Sequence, residues 1–324
     1  MSDEDDFLAE AFRRQLASVI TTEAIRRAER GKGTADLWRE LDASGFADAM
    51  LPEEQGGAGI GLTQAFPLIL AAGEACVPLP FAETLVARGL LTAHGVAPPS
   101  GGAIVFGGAS PVIPGARFAS HALVPSAGGL HLVLSSPLGD DLFGTGGATG
   151  VAPGEVVASL PGDPETVILA AAAVAAGLMA GAMGRVMEMS LRHAGERQQF
   201  GRSLGKFQAI QQQLAVLAEQ VISAQVAART AFFGAGFDPV RVAAAKCRAN
   251  EAATVVCNIA HAVHGAIGAT AEFDLQLYTR RIKQWQLAYG SDSHWAARLG
   301  RSRLESRAPL TSDFLRLRLG AEVA

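Results

Sequence analysis

Residues 166–184 form a run of nineteen without a single charge; eight of them are Ala and three are Gly. That length is enough to cross a bilayer. The composition points elsewhere, because small side chains offer little apolar area to lipid but let neighbouring helices approach closely. The run therefore predicts a helix buried on all sides in a bundle, with no membrane partner. Such a helix needs other helices around it, so the chain is expected to be mainly α.

Helical signals flank the run. Phe7, Leu8, Ala11, Phe12, Leu16, Val19 and Ile20 recur at helical spacing, as do Leu37, Trp38, Leu41 and Phe46. Asp163-Pro164-Glu165 reads as the cap of the charge-free helix. A second long helix is expected over about 207–233, with Ile210, Leu214, Leu217, Val221 and Val226 as its apolar stripe. Asp238-Pro239 starts a third that ends near His264-Gly265, followed by a broken segment to about Asp292 and a short last helix. Between the helical regions, Pro, Gly and Ser punctuate short β-prone runs at 103–106, 122–124 and 130–134, with Gly128-Gly129 as a hairpin turn. The expected division is an N-terminal helical domain over 1–97, a small β domain over 98–162 and a C-terminal helical domain over 163–324. Helix–β–helix without βαβ alternation argues against a doubly wound sheet. The glycine-rich turn at 51–61 has no strand leading into it, so it fails as a dinucleotide fingerprint.

The net charge is −4, which offers no basic field for nucleic acid. Its distribution is uneven: residues 1–184 carry 9 basic and 20 acidic side chains, and the remainder 18 and 11. The basic half either attracts a phosphate-bearing ligand or docks against the acidic half; charge alone favours neither. Asp3, Glu4, Asp5 and Asp6 are expected to fray as a solvated tip. Cys76, Cys247 and Cys257 are widely spaced and form no CxxC. Without a basic-then-apolar export signal, they read as reduced, buried residues of a cytoplasmic protein.

The densest polar cluster is residues 196–211, Glu-Arg-Gln-Gln-Phe-Gly-Arg-Ser-Leu-Gly-Lys-Phe-Gln-Ala-Ile-Gln. Arg197 offers a planar fork suited to phosphate oxygens, and the free N–H groups near residue 207 offer an anion site. Taken alone, such a segment is more often a solvated loop. His261 and His264 lack the further ligands a metal site needs, so no metal is expected. Ser291-Asp292-Ser293-His294 holds hydrolase residue types without triad geometry, and Trp285 and Trp295 read as core.

The same cluster resembles the Arg-x-x-Phe-Gly-x-x-(Leu/Ile)-x-x-(Phe/His)-Gln-x-(Ile/Val) signature of the acyl-CoA dehydrogenase family. Leu37-Trp38 with Gly45-Phe46, residues 51–57 and Pro78-Leu79-Pro80 resemble that family's N-terminal helical domain. Residues 115–124 resemble its middle β domain, and His264-Gly265-Ala266-Ile267-Gly268 with Glu272, Arg280, Lys283 and Gly290-Ser291 its last conserved stretch. The resemblance implies an acyl-CoA dehydrogenase-like fold: helical domain, reduced β domain, four-helix-bundle domain. It implies an FAD whose pyrophosphate Arg197 reaches, the cofactor being held mainly by a neighbouring subunit. Gln199 and Phe200 would line that site and Gln208 the adenine end. Gly265, Ala266 and Gly268 would form the backbone turn beside the dinucleotide, and Ser291 would stand where the family places a Thr at the flavin. Oligomerisation follows from a site built across two chains.

The departures are equally specific. The family abstracts an acyl α-proton with a carboxylate while the flavin takes a hydride. The two family positions for that base fall on Tyr289 and Ala171, and an adjacent family Arg falls on Ala172. A shifted register offers only Asp292 or Glu165. The β domain is about half the family's extent and lacks its flavin-covering Trp-x-(Thr/Ser). Three readings stand. The chain is a degenerate partner subunit of a hetero-oligomeric acyl-CoA dehydrogenase, like the shortened chains that act with a full subunit on steroid side chains. Alternatively it is a self-sufficient enzyme with an off-motif base, or a flavin-free scaffold. The retained motif at 197–208 favours the first two, and the missing carboxylates favour the first.

Overall fold

The computed structural model describes residues 3–108, 110–152 and 154–320. The N-terminal part is five helices: α1 (Asp3–Val19), α2 (Thr22–Glu29), α3 (Thr34–Ala43), α4 (Leu62–Glu74) and α5 (Phe81–Ala93). The backbone of α1 is helical from Asp3 onward. Phe12 stacks on Phe81 at 4.7 Å, fixing α1 against α5. The buried guanidinium of Arg88 pairs with Asp42 and Asp48, each at 2.8 Å, and joins α5 to the segments around them. Two carboxylates are what make a buried cation tolerable there.

The middle part is β1 (Ile104–Phe106), β2 (His121–Ser126), β3 (Gly129–Leu134), β4 (Pro137–Leu138), β5 (Gly150–Val151) and β6 (Val156–Pro161). The main sheet has order β1-β2-β3-β6, with only the β1–β2 pair parallel. Ser126 pairs with Gly129, so the two-residue turn is Ala127–Gly128, one residue earlier than expected. β6 carries no readable alternation because it is an exposed edge strand that buries only Leu160.

The helical part that follows comprises α6 (Glu165–Glu196), the short hairpin β7 (Gln198–Gln199) and β8 (Arg202–Ser203), then α7 (Gln208–Thr230), α8 (Pro239–His264), α9 (Leu275–Leu287), α10 (Asp292–Glu305) and α11 (Thr311–Leu319). Asp163 caps α6 by accepting from the Glu165 N–H at 2.8 Å. The apolar run of α6 is 94% buried, packed by α4, α7, α8 and α9. Its small residues are required: a Cβ on Gly181 would strike the Leu70 carbonyl, and one on Gly73 of α4 the Leu178 carbonyl.

Three expectations are corrected. The segment before Asp292 is not broken: it contains α9, whose apolar positions Leu275, Tyr278, Ile282 and Trp285 keep helical spacing. The buried Arg281 and Gln284 interleave with them and mask the pattern. Val226 is 61% exposed, because it lies 140° around α7 from Val221; Ala224 and Ala228 complete the stripe instead. Cys247 is half-buried, while Cys76 and Cys257 are buried, and all three are free thiols.

Candidate functional site

α6 ends at Glu196, and Arg197 leaves the helix with extended backbone while its N–H still donates to the His193 carbonyl at 2.9 Å. The Leu204 N–H donates back to the Arg197 carbonyl at 2.9 Å, so Arg197 and Leu204 close a small hairpin. The turn of that hairpin is Phe200–Gly201, with φ of +51° and +77°. Two positive φ values in a two-residue loop are the type I′ turn that strand twist favours. Glycine accepts this freely; a phenylalanine does not. The Phe200 side chain is 90% exposed, its ring edge-on to Phe207 at 6.2 Å. The Arg202 guanidinium covers the Phe207 ring at 4.1 Å.

Facing this hairpin, α8 stops at His264 because Gly265 takes φ +66° and ψ −148°, a region open to glycine alone. A single 3₁₀ turn, Gly265–Ala269, follows. The two sides enclose a groove of ≈ 470 Å³ lined by Arg197, Gln199, His193, His264, Gly265 and Ala266, among others. The volume lies in the range of small-ligand sites. The Arg197 side chain makes no hydrogen bond or ion pair among the described residues, and the groove is open to solvent beside it.

Four of the residues singled out from the sequence thus meet in one groove: Arg197, Gln199, Gly265 and Ala266. The others do not line it. Phe200 stands at the hairpin tip, and Gln208 is exposed as the first residue of α7. Gly268 is buried under the turn, where a Cβ would press on His264 and Leu275. The Ser291 hydroxyl caps α10, accepting from the His294 N–H at 3.3 Å. Its neighbour Gly290 is bound by Asn250 of α8, about 21 Å along that helix from His264. Sequence reading gave His193 no part in this groove, although it precedes Arg197 by one helical turn and so shares its face.

A second centre surrounds Tyr289. Its side chain is buried and its φ is +58°. The hydroxyl donates to the Phe106 carbonyl of β1 at 3.0 Å, and the N–H donates to Ser110 Oγ at 2.9 Å. Burial, with the Glu83 charge nearby, pushes the phenol well above its ordinary range. Trp295 Nε1 donates to the Tyr289 carbonyl at 2.9 Å. From α8 the buried Lys246 ammonium donates to Asn250 Oδ1 and the Trp285 carbonyl at 2.7 Å each, and to the Gln286 carbonyl at 3.2 Å. It thereby caps the end of α9 that leads into the Tyr289 turn.

The remaining candidates lie apart. Ala171 and Ala172 are buried in α6, Glu165 pairs with Arg298, and Asp292 is exposed at the start of α10. His261 Nε2 meets the Thr279 hydroxyl at 3.1 Å, and Trp285 and Trp295 are core. One carboxyl escaped the sequence reading altogether. Glu83 of α5 is buried beside a space of ≈ 20 Å³ shared with Arg281 and Gln284, and burial pushes it up to about 7.

Residues 2–96 match the acyl-CoA dehydrogenase N-terminal domain, and residues 166–302 match the acyl-CoA dehydrogenase C-terminal domain. The chain is 28% identical over 306 residues to acyl-CoA dehydrogenase IpdE2 of Mycolicibacterium smegmatis, covering 87% of this chain and 93% of that protein. Among solved structures, the ChsE4–ChsE5 complex from Mycobacterium tuberculosis superposes with a TM-score of 0.79 at 21% identity, covering 95% of this chain and 99% of the matched one. PigA with FAD and proline gives 0.75 at 15%, with coverages of 94% and 98%. These structural likenesses carry the fold. The two domain matches together span well over half of the sequence, and the chain belongs to the acyl-CoA dehydrogenase family.

Proposed function

We propose that this chain is the partner subunit of a hetero-oligomeric, FAD-dependent acyl-CoA dehydrogenase, completing a cofactor site while a homologous chain removes the proton. The observation that carries this reading is the Tyr289 hydroxyl, buried and donating to Phe106 at the position where the family's base is expected. A group that must donate to a fixed carbonyl, and whose deprotonation burial opposes, is a poor acceptor for an acyl α-proton.

The groove fits the anionic part of the cofactor. Arg197 brings an unpaired fork to a diphosphate, Gln199 an amide, and Gly265 lets backbone approach closely. The flavin, when bound, supplies the hydride acceptor for dehydrogenation of the thioester. The residues of this chain bind and orient: Arg197 and Gln199 hold the phosphates, and the Phe200 tip reaches outward toward whatever chain carries the rest of the site. The ChsE4–ChsE5 complex supports a paired assembly, and the steroid acyl-CoA dehydrogenase Tcur3481–Tcur3483, with a TM-score of 0.78 at 24% identity, supports a bulky CoA thioester as substrate. A cytoplasmic setting is part of the same proposal.

The test is expression with and without a homologous full-length subunit. Flavin absorbance and acyl-CoA-dependent reduction of an electron acceptor should appear with the pair, and turnover should be absent from this chain alone. Turnover by the isolated chain overturns the reading. It would favour a self-sufficient enzyme, for which Glu83, buried and poised about 7, is the carboxyl to replace first.

A further inference from the structure

We propose that His193 is a second, proton-dependent contact for the diphosphate in the Arg197 groove, taking one proton from solvent as the anion binds, with His264 as the residue that positions its ring. The inference rests on the cofactor reading above and concerns how that same site is regulated.

The geometry is a three-ring cluster at the groove floor. His193 stacks on His264 with centroids 4.5 Å apart and planes 27° from parallel, and Phe273 closes the edge at 5.1 Å from His264 and 6.3 Å from His193. His264 is nearly fully buried and its Nδ1 lies 2.8 Å from the Ala260 carbonyl. That carbonyl can only accept, so Nδ1 carries the hydrogen and Nε2 of the neutral ring is a bare acceptor. Nε2 has no partner at hydrogen-bond geometry, although the Met189 carbonyl lies near enough to the ring to favour its charged form slightly. His264 is therefore fixed in orientation, and burial favours its neutral form. His193, in contrast, is half-exposed, lines the groove beside Arg197, and has no side-chain hydrogen bond among the described residues. Its ring nitrogens are available to a ligand.

The charges around the pair decide its state. On α6 stand Arg192, Glu196 and Arg197; α8 contributes His261; the segment before α9 contributes Glu272 and Asp274 across the neighbouring groove. Burial lowers the His193 pKa from its ordinary value, Arg197 lowers it further, and Glu196 opposes them. His264 is lowered by burial, against which the Ala260 carbonyl acts, and further by His193 and His261, with the Met189 carbonyl opposing them. Without ligand, then, the charged form of His193 is disfavoured beside Arg197. A diphosphate seated between them replaces cation–cation repulsion with attraction on both sides, so the protonated ring becomes the bound form. Affinity must rise as pH falls through the titration of His193, because binding and protonation are linked.

FAD is the appropriate probe, since its doubly substituted diphosphate does not itself titrate between pH 6 and 8. Calorimetric titration of the co-expressed pair, stripped of flavin, with FAD in two buffers of different ionisation heat should show proton uptake and binding about tenfold tighter at pH 6 than at pH 8. His193→Phe keeps a stacking ring and should bind at pH 6 as the parent does at pH 8. In the proton spectrum, the His193 C2 resonance should titrate at higher pH with FAD than without. FAD binding that Arg197→Ala weakens, but that is independent of pH and buffer or unaltered in His193→Phe, overturns the inference and leaves the cofactor reading standing. FAD binding absent from the assembled pair at both pH values, or present there but unaltered by Arg197→Ala, overturns both.

Discussion

The Tyr289 hydroxyl and the Phe106 carbonyl, 183 residues apart in sequence, are joined by a 3.0 Å hydrogen bond in the interior. The bond seats the last residue before the Gly290 turn onto the first strand of the sheet. Tyr289→Phe removes the donor and leaves the buried carbonyl unpaired, which costs about 1–3 kcal/mol. Thermal unfolding should register that loss. Acyl-CoA turnover by the assembled pair should stay near the parent's, as the proposed reading gives the phenol no part in proton removal.

Arg197→Ala deletes a charge-assisted contact whose typical worth is about 1.5–3 kcal/mol, so flavin affinity of the assembly should fall about ten- to a hundredfold. Arg197→Lys should recover only part of it, for want of the two-pronged fork. Equilibrium dialysis of the co-purified flavin measures both.

Phe200 holds a left-handed backbone at a cost of about 1–3 kcal/mol, with its ring almost entirely in solvent. Phe200→Gly should raise the Tm of the isolated chain by relieving that strain. The same variant should lose flavin from the assembly faster if, as proposed, the exposed ring reaches the neighbouring chain. Calorimetry and flavin release, measured side by side, should move in opposite directions.

The α4–α6 contact tolerates no added carbon at Gly181, where the Leu70 carbonyl stands in the way. Gly181→Ala should destabilise by about 1–3 kcal/mol through overpacking. Gly195, near the end of the same helix, faces open space. Gly195→Ala should instead gain about 0.5–1 kcal/mol from helix propensity. Denaturant midpoints of the two variants on either side of the parent's are the expected result.

Glu83 is pushed up from 4.5 to about 7 by burial, so the folded state holds its proton more tightly than the unfolded chain does. The resulting stabilisation is complete below pH 4.5 and is lost as pH rises through about 7. Glu83→Gln keeps the neutral form at every pH. Its stability relative to the parent should therefore grow between pH 5 and pH 8, by on the order of 3 kcal/mol, in urea melts at the two pH values.

Much of the groove was legible because its parts are local. Arg197 and Gln199 follow a helix end, and Gly265 follows another, so capping rules and the motif place them without any tertiary knowledge. The His193–His264 stack was not legible, because it brings together residues from two helices that only packing aligns. The same holds for Tyr289 on Phe106. α9 was hidden for a different reason. Its buried face includes Arg281 and Gln284, and the cost of burying Arg281 is met by Glu29, far away in α2, at 3.2 Å. Periodicity counts such residues as exposed, so a helix whose polar side chains are satisfied at a distance reads as no helix at all.

α8 touches both centres: its middle holds the Gly290 turn through Asn250, and its last residue, His264, floors the groove. A helix is a ruler graduated in steps of about 1.5 Å and 100°. One residue inserted or deleted between Asn250 and His264 would rotate one centre by a quarter-turn relative to the other while hardly changing their separation. The connection at residues 231–238, outside that span, carries no such constraint on phase. Length variation in related chains should therefore gather in that connection, and the stretch of α8 between the two centres should keep its residue count even where its side chains change freely.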